Sequence, residues 1–146
     1  MKRIFVITAL AMLLTACAKP VDFNDTRGNG YRFEDMQGRW VVINYWAEWC
    51  APCVKEIPEL AALSDNHADI EVFGVNYDQP DPETMARQIE KLKVTFPVID
   101  HDPYQYFGIE KPEVLPTTLI ITPAGELRDV LVGPQTESSL LEIIRS

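Results

Sequence analysis

The sequence is short of the residues that hold metals. It has two histidines, His67 and His101, and three cysteines. Cys50 and Cys53 could form half of a zinc site, but the histidines lack the spacing of a second ligand pair. A haem attachment site needs His directly after the second cysteine, and Val54 stands there. Neither a metal nor an organic cofactor is expected. Positive charge is scarce too: 13 Lys and Arg against 22 Asp and Glu give a formal net charge of −9. That balance argues against a nucleic-acid partner. Past the first 16 residues no apolar run is long enough to span a bilayer. Internal repeats and low-complexity stretches are missing as well. What remains is an ordinary globular composition, of a length that allows one domain.

The chain is organised around Val41-Val42-Ile43-Asn44-Tyr45-Trp46-Ala47-Glu48-Trp49-Cys50-Ala51-Pro52-Cys53-Val54-Lys55-Glu56. Its β-branched and aromatic first half reads as a strand buried on both faces. From Ala51 to about His67, Val54, Ile57, Leu60, Ala61 and Leu63 recur at helical spacing. The two cysteines therefore sit where a central strand hands over to a helix. Three apart on a first helical turn, they face the same way and their sulfurs can close a disulfide. The free N–H groups of a helix start favour a thiolate, and Pro52 suits a first turn because its missing N–H would have no partner there. Cys50, nearer the open end, is expected to be the exposed nucleophile. Cys53, one turn in, is expected to be shielded and to resolve the mixed disulfide. A purely structural disulfide is the bland alternative.

Trp46-Ala47-Glu48-Trp49-Cys50-Ala51-Pro52-Cys53 closely resembles the active-site segment of thioredoxins. Six residues before the first cysteine, where thioredoxins carry a buried Asp, this chain has Asn44; three after the second it has Glu56. Both features resemble the TlpA/ResA-like extracytoplasmic branch. The resemblance implies an α/β thioredoxin-like sandwich: a central mixed β-sheet flanked by helices, with an N-terminal hairpin and a central β-α insertion. It also implies a catalytic Cys50–Cys53 disulfide. Glu56 is then a proton acceptor near Cys53; an exposed helix carboxylate is the alternative. Asn44 can hydrogen-bond but not titrate. Trp49 is expected to cover the disulfide and touch partners. Thioredoxin-like folds place a cis-proline opposite the cysteines. Pro116 in Leu115-Pro116-Thr117-Thr118 matches it, so the Leu115–Pro116 bond is expected to be cis, with its backbone free to pair with an extended substrate.

The first residues read as a targeting segment. Lys2 and Arg3 form a basic start, and Ile4–Leu14 form an apolar core too short to span a bilayer. Leu14-Thr15-Ala16-Cys17 resembles a bacterial lipoprotein box, which implies cleavage before Cys17 and a lipid on it; an ordinary signal peptide with a stray cysteine is the alternative. The expected division is a signal peptide over 1–16, a polar tether over 17–30 and a thioredoxin-like domain over 31–146. Export places Cys50 and Cys53 in an oxidising compartment, on the periplasm-facing side of the bacterial cell envelope.

Elsewhere the pattern is regular. Tyr31–Asp35, a turn at Gly38 and Trp40–Tyr45 read as strand, turn, strand. Ile70–Tyr77 is a strand, Asp81 caps a helix over Glu83–Lys93 with Pro82 at its start, and Phe96–Asp100 is a short extended segment. Tyr104–Ile109 reads as a short helix closed by Gly108. Leu115–Ile121 and Glu126–Gly133 form a hairpin around Thr122–Gly125. Thr136 caps a last helix with Leu140, Leu141, Ile143 and Ile144 facing inward. His67 and His101 are expected on the surface or in loops.

Two function classes follow. The first is a lipid-anchored thiol–disulfide oxidoreductase acting on the thiols and disulfides of extracytoplasmic proteins. TlpA/ResA-like proteins mostly reduce disulfides, for example in apocytochrome c maturation, and are recharged by a membrane thiol transporter of the DsbD/CcdA kind. The second is a non-catalytic thioredoxin-like binding module, holding a client in the manner of a metal chaperone. Retention of both cysteines and Pro52 favours the enzyme. A peroxidase is disfavoured, because peroxiredoxins resemble this fold but use a Thr-x-x-Cys nucleophile.

Overall fold

The computed structural model describes residues 20–146. The expected signal segment and Cys17 lie outside the described residues. The elements in chain order are β1 (Phe23–Asn24), β2 (Gly30–Tyr31), a 3₁₀ turn (Phe33–Met36), β3 (Trp40–Trp46), α1 (Ala51–Asn66), β4 (Ile70–Asn76), α2 (Pro82–Leu92), β5 (Val98–Ile99), β6 (Thr117–Ile121), β7 (Leu127–Val132) and α3 (Glu137–Ile144). Five strands form one mixed sheet in the order β5-β4-β3-β6-β7. β3 lies at its centre, parallel to β4 and antiparallel to β6. Covered on both faces, β3 is apolar at every position but Asn44, with no alternation.

Each face of the sheet has its own core. On one, Val42, Trp46, Val72 and Ile120 pack with Ile57, Leu60 and Leu63 of α1, Met85 of α2, and Leu140 and Ile144 of α3. On the other, Val41, Ile43, Tyr45, Phe73 and Leu119 meet Phe23, Phe33 and Met36. Gly74 of β4 lets the first core close: a Cβ there would stand 2.8 Å from Trp46 Nε1 and 3.0 Å from the Phe96 ring. Among the described residues no helix is long and apolar enough to cross a membrane.

The helix signals act as expected. Oδ1 of Asp81 accepts from the backbone N–H groups of Glu83 and Thr84, and Thr136 and Ser139 form a reciprocal capping box. Two segments differ. Tyr31 does not open a strand that runs to Asp35 and pairs with β3. The N-terminal hairpin instead joins Phe23–Asn24 to Gly30–Tyr31, and Phe33–Met36 is a 3₁₀ turn. Packing explains the change. Phe23 stacks on Tyr31 at 5.2 Å and meets Phe73 edge-on at 5.3 Å, so Phe23 becomes a core residue upstream of the expected domain start. The carboxylate of Asp25 closes the hairpin loop, accepting from the backbone of Arg27 and Asn29, the Asn29 side chain and the Tyr31 hydroxyl. The second difference is Tyr104–Ile109, which forms successive turns rather than a helix. Phe107 is drawn onto Phe33, ring centroids 5.1 Å apart, and Gly108 takes a positive φ of 65°.

Candidate active site

β3 ends at Trp46, and a tight turn follows in which the Cys50 N–H donates to Ala47 O at 3.2 Å. Cys50 is extended and serves as the N-cap of α1, with Pro52 in the first turn. Its sulfur fills the role that a Ser or Asp oxygen usually plays: the backbone N–H of Cys53 points at Sγ of Cys50, 3.2 Å away. Cys50 and Cys53 are joined by a disulfide.

One expectation needs correction. Cys50 is not openly exposed: it is 4% accessible, against 1% for Cys53. The turn and the first core close around both sulfurs. What sets Cys50 apart is its place on the helix N–H groups rather than its exposure. Trp49 is 66% exposed, and its Nε1 donates to Oδ2 of Asp78 at 2.9 Å.

The β4–α2 segment grips this turn from a second side. Glu48 accepts from Gln88 Nε2 at 2.9 Å and from Lys91 Nζ at 2.7 Å. Gln88 is in turn fixed by Asn76, whose Nδ2 donates to it at 2.6 Å. Asp78, Gln88 and Lys91 were not legible as site residues. Asp78 in the loop after Asn76 and Gln88 on the inner face of α2, polar where apolar residues are due, were the available signals.

The Leu115–Pro116 bond is cis, Pro116 is buried, and Leu115 packs against the cluster that contains both cysteines. The carbonyl of Pro116 accepts from Gly133 N at 2.9 Å.

Glu56 is no surface carboxylate. It is 2% accessible, on the inner face of α1. Oε2 accepts from Asn44 Nδ2 at 3.1 Å and Oε1 from Gln135 N at 2.9 Å. Asn44 Nδ2 also donates to Thr118 Oγ1 at 2.9 Å. Burial pushes the Glu56 carboxyl up to about 7, opposed by the hydrogen bonds from Gln135, Asn44 and Thr118. A carboxyl held near neutrality can take up and release a proton under ordinary conditions. Thr118 and Gln135 escaped notice in the sequence. A hydroxyl within the fully buried strand Thr117–Ile121 was the only hint of Thr118; the Gln135 contact uses its backbone and leaves no signature.

The histidines stand apart from this cluster. His67 ends α1 and lies 3.1 Å from Glu137 Oε1, and His101 is an exposed loop residue 2.7 Å from Asp100 Oδ1. A separate groove of about 580 Å³, lined by Arg27, Pro82, Met85, Ile89 and Val94 among others, contains none of the site residues.

A disulfide capping a helix at the end of a central strand, beside a cis-proline, defines a thioredoxin-like redox domain. The model of the AhpC/TSA family matches residues 14–130, and the chain belongs to that family, on its ResA-like thiol–disulfide oxidoreductase branch. The thiol–disulfide oxidoreductase ResA of Geobacillus kaustophilus is 26% identical over 132 residues, 89% of this chain and 75% of the relative. Among solved structures, StoA from Bacillus subtilis superposes with a TM-score of 0.66 at 23% identity, covering 82% of this chain and 92% of StoA. The exposed lipoprotein thioredoxin of Streptococcus pneumoniae superposes with a TM-score of 0.68 at 19% identity, covering 84% of this chain and 96% of that one. These two share the fold. Within the family the nucleophile signature of the peroxidases is missing: Ala47, not Thr, stands three residues before Cys50.

Proposed function

We propose that this chain is a lipid-anchored protein disulfide reductase of the bacterial cell envelope, working on the periplasm-facing side through a Cys50/Cys53 dithiol–disulfide cycle. The observation that carries the reading is the placement of Cys50 Sγ on the first N–H groups of α1, 3.2 Å from Cys53 N. A thiolate formed there is stabilised by the helix start and attacks one sulfur of a client disulfide. The other client sulfur leaves as a thiolate and takes a proton. Cys53 then gives its proton to Glu56 and attacks Cys50 Sγ. This releases the second client sulfur and closes the Cys50–Cys53 disulfide. Two electrons return by exchange with an external dithiol, for which a membrane thiol transporter of the DsbD/CcdA kind is the fitting source. Trp49, Leu115 and Pro116 form the client-facing surface: Trp49 is exposed beside Cys50, and the chain at Leu115 offers backbone to an extended peptide.

The anchor is the lipid on Cys17, at the end of a tether that leads into the domain. The Streptococcus pneumoniae neighbour is described as an exposed lipoprotein, which supports this placement. Turnover of insulin disulfides with dithiothreitol as donor tests the enzyme reading. Catalysed precipitation of the insulin B chain is expected. Binding of clients without turnover would instead show a holding module.

A further inference from the structure

β7 is the last strand of the sheet, so among the described residues one of its edges has no strand beside it. Val132 pairs with Thr117 and Val130 with Leu119. Both valines therefore point to the face on which Leu119 is buried with Phe23 and Phe33. Over β3 and β4 that aromatic layer covers the face. At β7 the cover ends: Val132 is 62% exposed, and Val130 is exposed beside it. Natural edge strands are usually blunted by lysine, proline or a covering segment; here the segment 109–114 lies against Val130 and Val132 on this face and leaves both exposed.

The segment 109–114 runs alongside. With Thr117, Val130 and Val132 it encloses a notch of about 150 Å³, lined also by Pro112 and Val114, room for about one large apolar side chain. The segment is tied down at two points. Lys111 Nζ donates to Tyr77 O at 2.9 Å and stands 4.0 Å from the Tyr77 ring centre. Thr117 Oγ1 donates to Val114 O at 2.7 Å. Lys111, the segment's cation, is thus engaged away from the notch, whereas the exposed carboxylates of Glu110 and Glu113 line it and have no hydrogen-bond or salt partner among the described residues.

The notch adjoins the cis-proline segment. Thr117 follows Pro116 directly, and the bond from Gly133 N to Pro116 O ties the end of β7 to the cis-proline segment. A second copy of the chain is a poor occupant, because a two-fold contact would bring two such acidic rims together in a protein of net charge −9.

We propose that this notch holds an extended segment of the client, with an apolar side chain against Val130 and Val132 and a flanking Lys or Arg on Glu110 and Glu113. The proposal rests on the oxidoreductase reading and adds to it a selection for apolar–basic sequence near the client cysteine. The free edge of β7 offers backbone pairing to the same segment.

The test uses two disulfide peptides identical except for one flank, Val-Lys-Val-Lys or Ser-Glu-Ser-Glu, with a small aromatic disulfide as control. Wild type should show a lower KM for the basic peptide by about 3- to 10-fold, shrinking as salt is raised. Replacing both carboxylates (Glu110→Gln with Glu113→Gln) should remove most of that preference, and Glu110→Lys with Glu113→Lys should invert it. Val132→Thr, at an exposed site and still β-branched, should raise KM for the basic peptide by about 2- to 5-fold. All variants should turn over the small disulfide at the wild-type rate. Equal KM values for both peptides throughout would overturn the proposal. So would a concentration-dependent dimer that Val132→Thr dissolves with client kinetics unchanged, since a second copy would then cover the face. Failure of the wild type on the small disulfide would sink the oxidoreductase reading itself, and the notch with it.

Discussion

The backbone N–H of Gln135, at the start of the last helical segment, donates to Oε1 of Glu56, 79 positions earlier in the chain. With Asn44 on the other oxygen, it holds a carboxyl that burial makes reluctant to ionise. This gives Glu56 a measurable signature. Its pKa is raised from 4.5 to about 7, so between those values the folded protein binds a proton that the unfolded chain releases. Stability must therefore fall as pH rises from about 4.5 through about 7, then level off. The shift corresponds to about 3 kcal/mol in all. Glu56→Gln should remove this component. Urea melts of the two proteins across pH 5–8 should diverge in that direction; parallel curves would mean that Glu56 ionises freely in the fold.

The same variant should slow the closing of the Cys50–Cys53 disulfide more than the initial attack on a client. In the wild type the closing rate should rise with an inflection near neutrality, and Glu56→Gln should lack it. Stopped-flow traces of the mixed disulfide against pH measure both. An unchanged profile would leave Glu56 as a packing residue.

With both cysteines buried, their order rests on the helix N–H groups. Cys53→Ser should accumulate a mixed disulfide through Cys50, and Cys50→Ser should be inactive and trap little. A limiting alkylating reagent on the reduced wild type should label Cys50 first, as peptide mass spectrometry would record. Earlier labelling of Cys53, or trapping by Cys50→Ser alone, would exchange the roles.

Phe23 tests where the domain starts. Buried among Tyr31, Phe33 and Phe73, it should cost about 3–5 kcal/mol on replacement by Ala, read as a lower urea midpoint. A change below about 0.5 kcal/mol would match a passive tether.

Cys17→Ser should release the protein from membranes or leave it unprocessed. Detergent partitioning and intact-mass analysis of the wild type should show a lipid on a chain that begins at Cys17. A soluble, unmodified wild type would remove the anchor from the proposed function.

The parts of this protein that could be read from the chain are those set by neighbours in sequence. The run from Val41 to Trp46, apolar but for Asn44, marks a strand covered on both faces. Cys50 before Ala51-Pro52 marks a capped helix start, and Asp81 and Thr136 announce their helices, because a cap is an interaction across three residues. The remainder depends on partners far along the chain. Two paired residues on each of β1 and β2 make no stable ribbon alone; Phe23 and Tyr31 pair because Phe73 lies beneath them. The turns at Tyr104–Ile109 replace a helix because Phe33 takes up Phe107. Nε1 of Trp49 donates to Asp78. Glu56 has the same local sequence whether exposed or buried. Its position relative to Asn44, Thr118 and Gln135, which four separate elements and loops bring to one point, turns an ordinary carboxylate into one that titrates near neutrality, since removal from water disfavours charge more than three hydrogen bonds restore it.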